Sequence, residues 1–178
     1  NHHMRLRNYM VGLLAVSLVA CNEKESTMPV EEQNNPLLEE WTTPFGVPPF
    51  DIIKNEHYLP AFEIALEEQN AEIDAIIANE EAPTFENTIE ALELSGATLT
   101  KVAAVFFNLE SANTNDELKK IKKTLAPKLS EHSDNINLND ALFARIKAAY
   151  ESTDKSTLEP EELMLMEETY KGFVRAGA

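Results

Sequence analysis

Residues 83–111 decide the fold, and they read PTFENTIEALELSGATLTKVAAVFFNLES. Small and apolar residues recur here at alternating intervals of three and four positions: Ile89, Leu92, Gly96, Leu99, Ala103 and Phe106. That alternation keeps all six on one face of an α-helix, as in a heptad seam that packs against a neighbouring helix. Thr84 is a residue type that caps helix N-termini. The stretch therefore predicts one long helix over residues 85–111 with Thr84 as its N-cap.

Gly96 lies within the apolar seam of that helix. A glycine inside a helix costs about 1 kcal/mol relative to alanine, so its position needs a physical reason. Either another helix crosses so closely at Gly96 that no side chain fits, or the helix kinks there. We expect one of these two arrangements.

The same periodicity predicts further helices on both sides of this stretch. A helix over residues 57–79 has Pro60 in its first turn and the apolar stripe Phe62, Leu66, Ile73, Ile76 and Ile77. The sequence Thr114-Asn115-Asp116-Glu117 has the spacing of a capping box. It begins a helix that Pro127 should bend and that carries Leu118, Ile121, Leu125 and Leu129.

Two more helices complete the prediction. Residues 141–150 form one, and the last begins at Pro160 and carries Leu163, Met164, Met166, Tyr170 and Phe173. No segment shows the alternation of a convincing strand, and there are only 5 glycines for tight turns between strands. The predicted fold class is therefore all-α.

The charge of the chain argues against one class of partner. The 178 residues include 31 Asp and Glu against 15 Lys and Arg, which gives a formal net charge of −16. A nucleic-acid-binding protein needs cations that neutralise phosphates, so we expect no nucleic-acid partner. A hydrophobic fraction of 43% is ordinary for a folded chain.

The first twenty residues have the features of an export signal. Arg5 and Arg7 precede an uncharged apolar run over residues 9–20, which as a helix would span about 18 Å and is too short to cross roughly 30 Å of hydrocarbon. The run ends in Leu18-Val19-Ala20-Cys21, which resembles the lipobox of bacterial lipoproteins, whose cysteine is acylated. A buried free cysteine at position 21 is the alternative. Residues 1–3 precede Met4 and look like a tag remnant or an upstream extension.

The next thirty residues fall into two parts. Residues 21–40 are polar and lack an apolar period, so they predict a flexible tether. Residues 41–50 combine three prolines with Trp41, Phe45 and Phe50, which excludes a helix interior. They predict an extended arm that its aromatic side chains pin to the protein; a proline-rich ligand for a small recognition domain is the alternative.

Catalytic patterns are absent from the sequence. Four positions after His57 and His132 stand Ala61 and Ile136, so neither histidine begins a His-Glu-x-x-His zinc motif. There is no Gly-x-Ser-x-Gly elbow and no glycine-rich phosphate loop. His57 and His132 are interpreted as surface or capping residues, and the adjacent glutamate pairs as solvated faces. We predict no catalytic, cofactor-binding or metal-binding residue, and Cys21 as a lipidation site.

A series of motifs in fixed order carries a family resemblance. They are residues 35–38 (NPLL), 48–54 (PPFDIIK), 56–63 (EHYLPAFE), 83–93 (PTFENTIEALE), 95–96 (SG), 142–146 (LFARI) and 173–178 (FVRAGA). From about residue 34 to residue 178 the chain resembles the N-terminal region of the peptidyl-dipeptidase and oligopeptidase A branch of the thimet-oligopeptidase-like zinc metallopeptidases. The block at residues 83–88 is the most specific of these motifs.

The resemblance implies an antiparallel helical N-terminal lobe of a two-lobed helical enzyme that cleaves oligopeptides. In that family a His-Glu-x-x-His helix and a further glutamate hold the zinc, several hundred residues beyond the part matched here. The domain prediction is a tag remnant and signal peptide over 1–20, a tether over 21–40, and an incomplete lobe over 41–178. The chain alone would be inactive. Truncation should also expose the apolar faces around Phe106-Phe107 and residues 164–173.

The sequence leaves several hypotheses about function open. The export signal favours release of C-terminal dipeptides, and an oligopeptidase A-like endopeptidase is the alternative. A stand-alone acidic helical lipoprotein that acts as an interaction module is the second alternative, and an acidic metal-storage bundle the third. The expected location is the bacterial cell envelope, with the protein anchored to the membrane by lipid on the periplasmic side of the outer membrane or at the cell surface.

Overall fold

A computed structural model describes residues 34–113 and 115–177 of the chain. Their helices are α1 (Tyr58–Ala78), a π-helical segment (Phe85–Glu90) that runs directly into α2 (Ala91–Leu94), α3 (Ala97–Ala112), α4 (Asp116–Asn137), α5 (Asp140–Ser152) and α6 (Pro160–Ala176). Short 3-10 turns lie at Pro44–Gly46, Asn55–His57 and Lys155–Thr157. This part of the chain contains no strand, which confirms the predicted all-α class.

The helix α1 is shared by two hydrophobic cores. Its N-terminal half packs with α3 and the first half of α4 to form the first core, whose buried residues are Leu37, Tyr58, Ala61, Phe62, Val102, Val105, Phe106, Leu118, Ile121 and Leu125. Its C-terminal half packs with α5 and α6 to form the second core, whose buried residues are Ile73, Ile76, Phe85, Ile89, Leu142, Ile146, Ala149, Met166 and Phe173. These helices therefore depend on α1 for their relative positions.

The directions of α1, α3 and α4 follow from their contacts. At one end, the ring of Phe106 in α3 lies 5.1 Å from that of Tyr58, near the start of α1. At the other end, Gly96 donates its N–H to Glu72, further along α1. Therefore α3 runs antiparallel to α1. Pairs from Lys128 to Glu63 and from His132 to Gln69 show that α4 runs parallel to α1.

The single helix predicted over residues 85–111 is wrong. The helix ends at Leu94 and begins again at Ala97, because Gly96 adopts the left-handed conformation with φ 71° and ψ 26°. Residues before the break pack in the second core, and residues after it pack in the first. The apolar seam is thus one stripe in sequence but serves two cores in space.

A polar junction of four side chains and one backbone N–H surrounds the break. The N–H of Gly96 donates to Glu72 Oε2 at 2.7 Å, and the amide of Gln69 donates to Ser95 Oγ at 3.1 Å. The oxygen of the same amide, Gln69 Oε1, lies 2.7 Å from His132 Nε2. A Cβ at position 96 would stand 2.5 Å from the Gln69 amide. Both arrangements expected at Gly96, the kink and the close approach, are therefore present.

One predicted feature of α4 needs correction, and another stays a prediction. The N-cap of α4 is Asn115, whose Oδ1 accepts the N–H of Leu118 at 2.9 Å, while Thr114 lies outside the described residues. The helix continues through Pro127, whose ring leaves one carbonyl without its usual donor; the bend stays a prediction.

The expected exposure of apolar faces is only partly observed. Phe106 is fully buried, because it makes edge-to-face contacts with Tyr58, Phe62 and Phe107. Phe173 is buried in the second core, whereas Met164 is 65% exposed. The expectation is therefore wrong for Phe106 and Phe173 and holds on α6 for Met164.

The predicted tether ends earlier than residue 40. Residues 35–37 are buried, Leu37 completely, and the side chain of Asn35 donates to the carbonyl of His57 at 2.9 Å. Trp41 donates to the carbonyl of Pro36 at 2.8 Å. This short turn covers the open side of the first core, so the folded part begins near residue 34. The rest of the tether prediction lies outside the described residues.

The arm over residues 41–50 is pinned by one aromatic side chain instead of three. Trp41 is half-buried, and Lys101 lies 4.6 Å above its ring. In contrast, Phe45 is fully exposed in a left-handed conformation, and Phe50 is half-exposed.

None of the helices in the described ranges is long and apolar enough to span a bilayer.

Replacing Gly96 with alanine should destabilise the protein. The left-handed conformation costs an alanine about 1 to 2 kcal/mol, and its Cβ would displace the Gln69 amide. We therefore expect Gly96→Ala to lower the free energy of unfolding in urea by about 2 kcal/mol. Gly172→Ala is the matched control, because Gly172 lies inside α6 with no atom near a new Cβ, and it should be neutral or stabilising. Equal effects of the two substitutions would contradict this account.

His132 should make the stability of the fold depend on pH. Burial lowers the pKa of His132 below its ordinary value of 6.5, so the unfolded chain binds this proton more readily than the folded chain. The free energy of unfolding should then fall as the pH drops through 6.5, and this loss should level off below the folded-state pKa. Urea titrations between pH 5 and pH 8 should show a shallower slope for His132→Gln than for the parent chain. Identical slopes would contradict this role.

Candidate functional site

The block at residues 83–88 caps a helix. The Oγ1 of Thr84 accepts the N–H of Asn87 at 3.1 Å, and the Oδ1 of Asn87 accepts the N–H of Thr84 at 2.8 Å. The amide of Asn87 also donates to the carbonyl of Ala82 at 2.9 Å, while Phe85 is buried in the second core. The motif that carries most of the family resemblance is therefore structural: it fixes how the chain enters the segment before α2. Thr84 as N-cap is confirmed, although of a shorter helix.

A guanidinium holds the same loop from α5. Nη1 of Arg145 donates to the carbonyl of Asn79 at 2.7 Å, and both terminal nitrogens lie 3.4 Å from the carbonyl of Glu81. Nη2 also lies 3.4 Å from Asn87 Oδ1, and Nε is buried without a hydrogen-bond partner. Arg145 thus ties the end of α1 and the capping loop to α5. No sequence motif marks this role, although Arg145 is the only arginine between Arg7 and Arg175.

A groove opens between α1 and the segment that contains α2. It has a volume of about 390 Å³ and is lined by Glu72, Ala75, Ile76, Asn79, Asn87, Ala91, Leu94 and Ser95. The α1 positions follow helical spacing, so they form one continuous face of that helix. Leu94 at the mouth of the groove is 68% exposed, a large apolar side chain left in solvent. The polar members of the lining are amides, a hydroxyl and the Glu72 carboxylate, which already accepts the Gly96 N–H.

The stretch of sequence that forms this groove carries charge of one sign. Residues 64–100 contain nine Asp and Glu and no Lys or Arg. The ion pairs seen among the described residues involve other carboxylates, such as Glu63 and Glu110. Lysines are concentrated instead in α4, at positions 119, 120, 122, 123 and 128. The groove therefore lies within a strongly anionic hairpin.

A second groove lies at the end of α6. It has a volume of about 520 Å³ and is lined by Leu92, Glu93, Ile136, Asn137, Glu168, Thr169, Gly172, Phe173, Arg175 and Ala176. Its wall carries both signs of charge, since Arg175 lies 3.6 Å from Glu168. Nearby, a salt bridge and hydrogen bond with Lys171 hold the pKa of Glu167 below its ordinary value. This groove has no uniform electrostatic preference.

A stack of aromatic rings fixes α5 against α6. The rings of Tyr150 and Tyr170 are 4.2 Å apart and nearly parallel, and Phe143 continues the stack towards Phe173. Lys155 lies 4.0 Å above the outer face of Tyr150 and also donates to its carbonyl at 3.0 Å. The lysine ammonium and the stacked rings close this end of the second core, so the cluster is part of the packing.

His57 and His132 have different roles. His57 accepts the N–H of Lys54 on Nδ1 at 3.0 Å, which is the predicted capping role. His132 is buried in the polar junction, so its interpretation as a surface or capping residue is wrong. The residues that the structure describes include no group of three or more His, Cys, Asp or Glu side chains that could hold a metal ion. Cys21, the predicted lipidation site, lies outside them.

The arrangement of these groups suits binding more than chemistry. In the described part of the chain, the lining of the first groove combines apolar side chains with two amides, a hydroxyl and one carboxylate, and no hydroxyl or thiol nucleophile there is hydrogen-bonded to a histidine base. Asn87, Ala91 and Ser95 fall within the motifs at residues 83–93 and 95–96, but nothing in those motifs marks them as the lining of a groove. The charge could have been found, since the absence of Lys and Arg over residues 64–100 is visible in the sequence.

Comparison with known proteins gives a clear relationship. No family model matches the chain. The chain is 43% identical over 144 residues to a dipeptidyl carboxypeptidase from Escherichia coli. The matched stretch covers 81% of this chain and 21% of that protein. The dipeptidyl carboxypeptidase from Salmonella typhimurium is 42% identical over the same share of each. Oligopeptidase A from Salmonella typhimurium is 26% identical over 80% of this chain and 20% of its own length.

The chain thus spans about a fifth of the length of the curated relatives it matches. The matched length agrees with the part that folds into the two cores, which begins near residue 34. Both kinds of relative were expected from the motifs at residues 35–38, 48–54, 56–63, 83–93, 95–96, 142–146 and 173–178. The homologues of this helical chain are therefore peptidases, namely dipeptidyl carboxypeptidases and, at lower identity, oligopeptidases A.

Proposed function

We propose that the helical part of this chain is the N-terminal lobe of a zinc metallopeptidase that, at full length, releases dipeptides from the C-terminus of oligopeptides. The observation that carries this proposal is the difference in identity between the two kinds of relative. Over nearly the same residues, identity is 43% to a dipeptidyl carboxypeptidase and 26% to an oligopeptidase A. This difference favours dipeptide release over an oligopeptidase A-like endopeptidase activity.

In this proposal the chain supplies scaffold and surface, and the zinc is held elsewhere. The described residues fit no zinc site, because His57 caps a turn and His132 is bonded to Gln69, with no third ligand beside either. The resemblance assigns the metal to a His-Glu-x-x-His helix that this sequence does not contain. We therefore expect the chain alone to be inactive, and we derive no catalytic step from its residues.

Peptide cleavage assays separate the proposed activities. The purified chain should not cleave an N-blocked tetrapeptide with a free C-terminus, with or without added zinc. A longer gene product that includes the zinc helix should release its C-terminal dipeptide and should spare the same peptide when the C-terminus is amidated. A chelator should abolish this cleavage, because zinc activates the attacking water.

Two results of these assays would count against the proposal. Chelator-sensitive cleavage by the chain alone would show that its own residues form a catalytic site. Equal cleavage of the free and amidated peptides by the longer product would show endopeptidase action, as in the oligopeptidase A alternative. If no longer product exists, the interaction-module alternative takes its place.

We also propose that Cys21 anchors the protein to the bacterial cell envelope by lipid, on the periplasmic side of the outer membrane or at the cell surface. Leu18-Val19-Ala20-Cys21 ends an apolar run of signal-peptide length, and Cys21 is the only cysteine of the chain. A net charge of −16 gives no electrostatic attraction to an anionic bilayer, so acyl chains must provide the attachment.

Metabolic labelling tests the anchor directly. Cells that express the protein with a labelled fatty acid should incorporate the label, and Cys21→Ser should abolish incorporation and release the protein from the membrane fraction. As a matched control, Ser26→Cys added to Cys21→Ser restores a thiol five positions later and should not restore the label. Incorporation of label into Cys21→Ser would contradict the assignment.

A further inference from the structure

We propose that the groove between α1 and α2 docks a cationic peptide segment, with one apolar side chain in the groove and Lys or Arg on both sides of it. This inference stands on the shape and charge of the groove and does not depend on the peptidase proposal. It concerns a binding site formed wholly by residues 68–95 and leaves open whether the bound segment is cleaved.

The groove offers an apolar side chain a place to bind. The apolar part of its lining is Ala75, Ile76, Ala91 and Leu94, of which Ile76 is buried and Leu94 is 68% exposed. A volume of about 390 Å³ lies within the usual range for sites that hold small ligands or one or two side chains. Burial of Leu94 against a partner would remove apolar surface from water, which is the main driving force for association. Asn87 is committed to the helix cap and Asn79 Oδ1 accepts the N–H of Glu81, so the amide nitrogen of Asn79 is the lining group offered to a peptide carbonyl.

Carboxylates flank the groove on both of its helical walls. Glu68 lies one turn before Glu72 on the groove-lining face of α1, and Glu90 lies one turn before Leu94 on the opposite wall. Both Glu68 and Glu90 are exposed. They belong to the stretch of nine carboxylates without a Lys or Arg. Carboxylates within a Debye length of about 10 Å act together on an approaching cation, so their attraction adds up at low salt.

The nearby cation does not cancel this field. Arg145 reaches the loop beneath the groove, but its terminal nitrogens donate to the carbonyls of Asn79 and Glu81. Its charge is therefore directed at the backbone, and it offsets one of nine negative charges. Glu72 is committed to Gly96 and shapes the wall, while Glu68 and Glu90 have no such bond and face solvent.

A second copy of this chain is a less suitable occupant. The lysines of α4 could provide cations, but Lys119, Lys122 and Lys128 already pair with carboxylates of the same chain. A net charge of −16 on each copy also opposes self-association. Charge complementarity therefore favours a separate cationic peptide.

Fluorescence anisotropy with three short labelled peptides tests the proposal on the purified chain. The first peptide has a central leucine with two lysines on each side, the second replaces the leucine with glycine, and the third replaces the lysines with glutamates. We expect the first to bind most tightly, the second about tenfold more weakly because it lacks the apolar contact, and the third not to bind. Binding of the first peptide should weaken as salt is raised.

Substitutions locate the binding site, and each has a matched control. Leu94→Ser should weaken binding of the leucine peptide about tenfold, whereas Met164→Ser removes a similarly exposed apolar side chain on α6 and should change nothing. Glu68→Gln with Glu90→Gln should weaken binding about threefold to tenfold at low salt and reduce its salt dependence. Glu39→Gln with Glu40→Gln makes the same charge change at exposed positions before α1 and should have no effect.

Three outcomes would overturn the proposal. Equal binding of the leucine and glycine peptides, or equal weakening by the control pair at Glu39 and Glu40, would mean diffuse charge attraction without a groove. Absence of binding to the leucine peptide would mean that the groove has no such ligand. Self-association in sedimentation, present without peptide and lost in Leu94→Ser, would assign the groove to a second copy. None of these results bears on the cleavage assays, so the two proposals fail separately.

Discussion

The hydrogen bond from the Gly96 N–H to the Glu72 carboxylate fixes the point on which this fold depends. Gly96 can donate in that direction because it is left-handed, a conformation that costs glycine little and other residues more. The chain therefore leaves the second core at Ser95 and returns along α1 towards the first core. Residues 85–94 pack in the second core and residues 97–112 in the first, which a single straight helix could not do. The groove between α1 and α2 exists because α2 ends where it does.

The helix ends were largely predictable from sequence, because they depend on local chemistry. Pro160 begins α6 as predicted. The side chains that cap α4 and α5 are Asn115 and Asn139, and asparagine is a residue type that favours this position. The break at Gly96 was not decided by periodicity, because every seam residue is at least half-buried whether the seam faces one core or two. Periodicity reports that a residue is buried, and tertiary contacts determine against which neighbour. The Gln69 and His132 contacts that fill the space beside Gly96 join residues far apart in sequence.

In the N-terminal segment, residue type did not predict burial. Residues 35–37 are buried although the sequence around them is polar, because they close one side of the first core. Phe45 is fully exposed although aromatic residues are usually buried. Of the proposed site, only the charge was visible in the sequence. The block most similar to the relatives forms a helix cap held by Arg145, so similarity there identifies a scaffold, and function must be tested at the groove and in the longer protein.

Backbone chemical shifts of residues 85–112, measured by NMR, test this account most directly. The account predicts helical shifts on both sides of an interruption at Ser95 and Gly96, and a positive φ at Gly96. It also predicts a Gly96 amide that is shifted downfield and protected from exchange by its bond to Glu72, with both features lost in Glu72→Ala. Uninterrupted helical shifts from residue 85 to residue 112 would show one continuous helix. That result would remove the break, the two-core arrangement and the groove together.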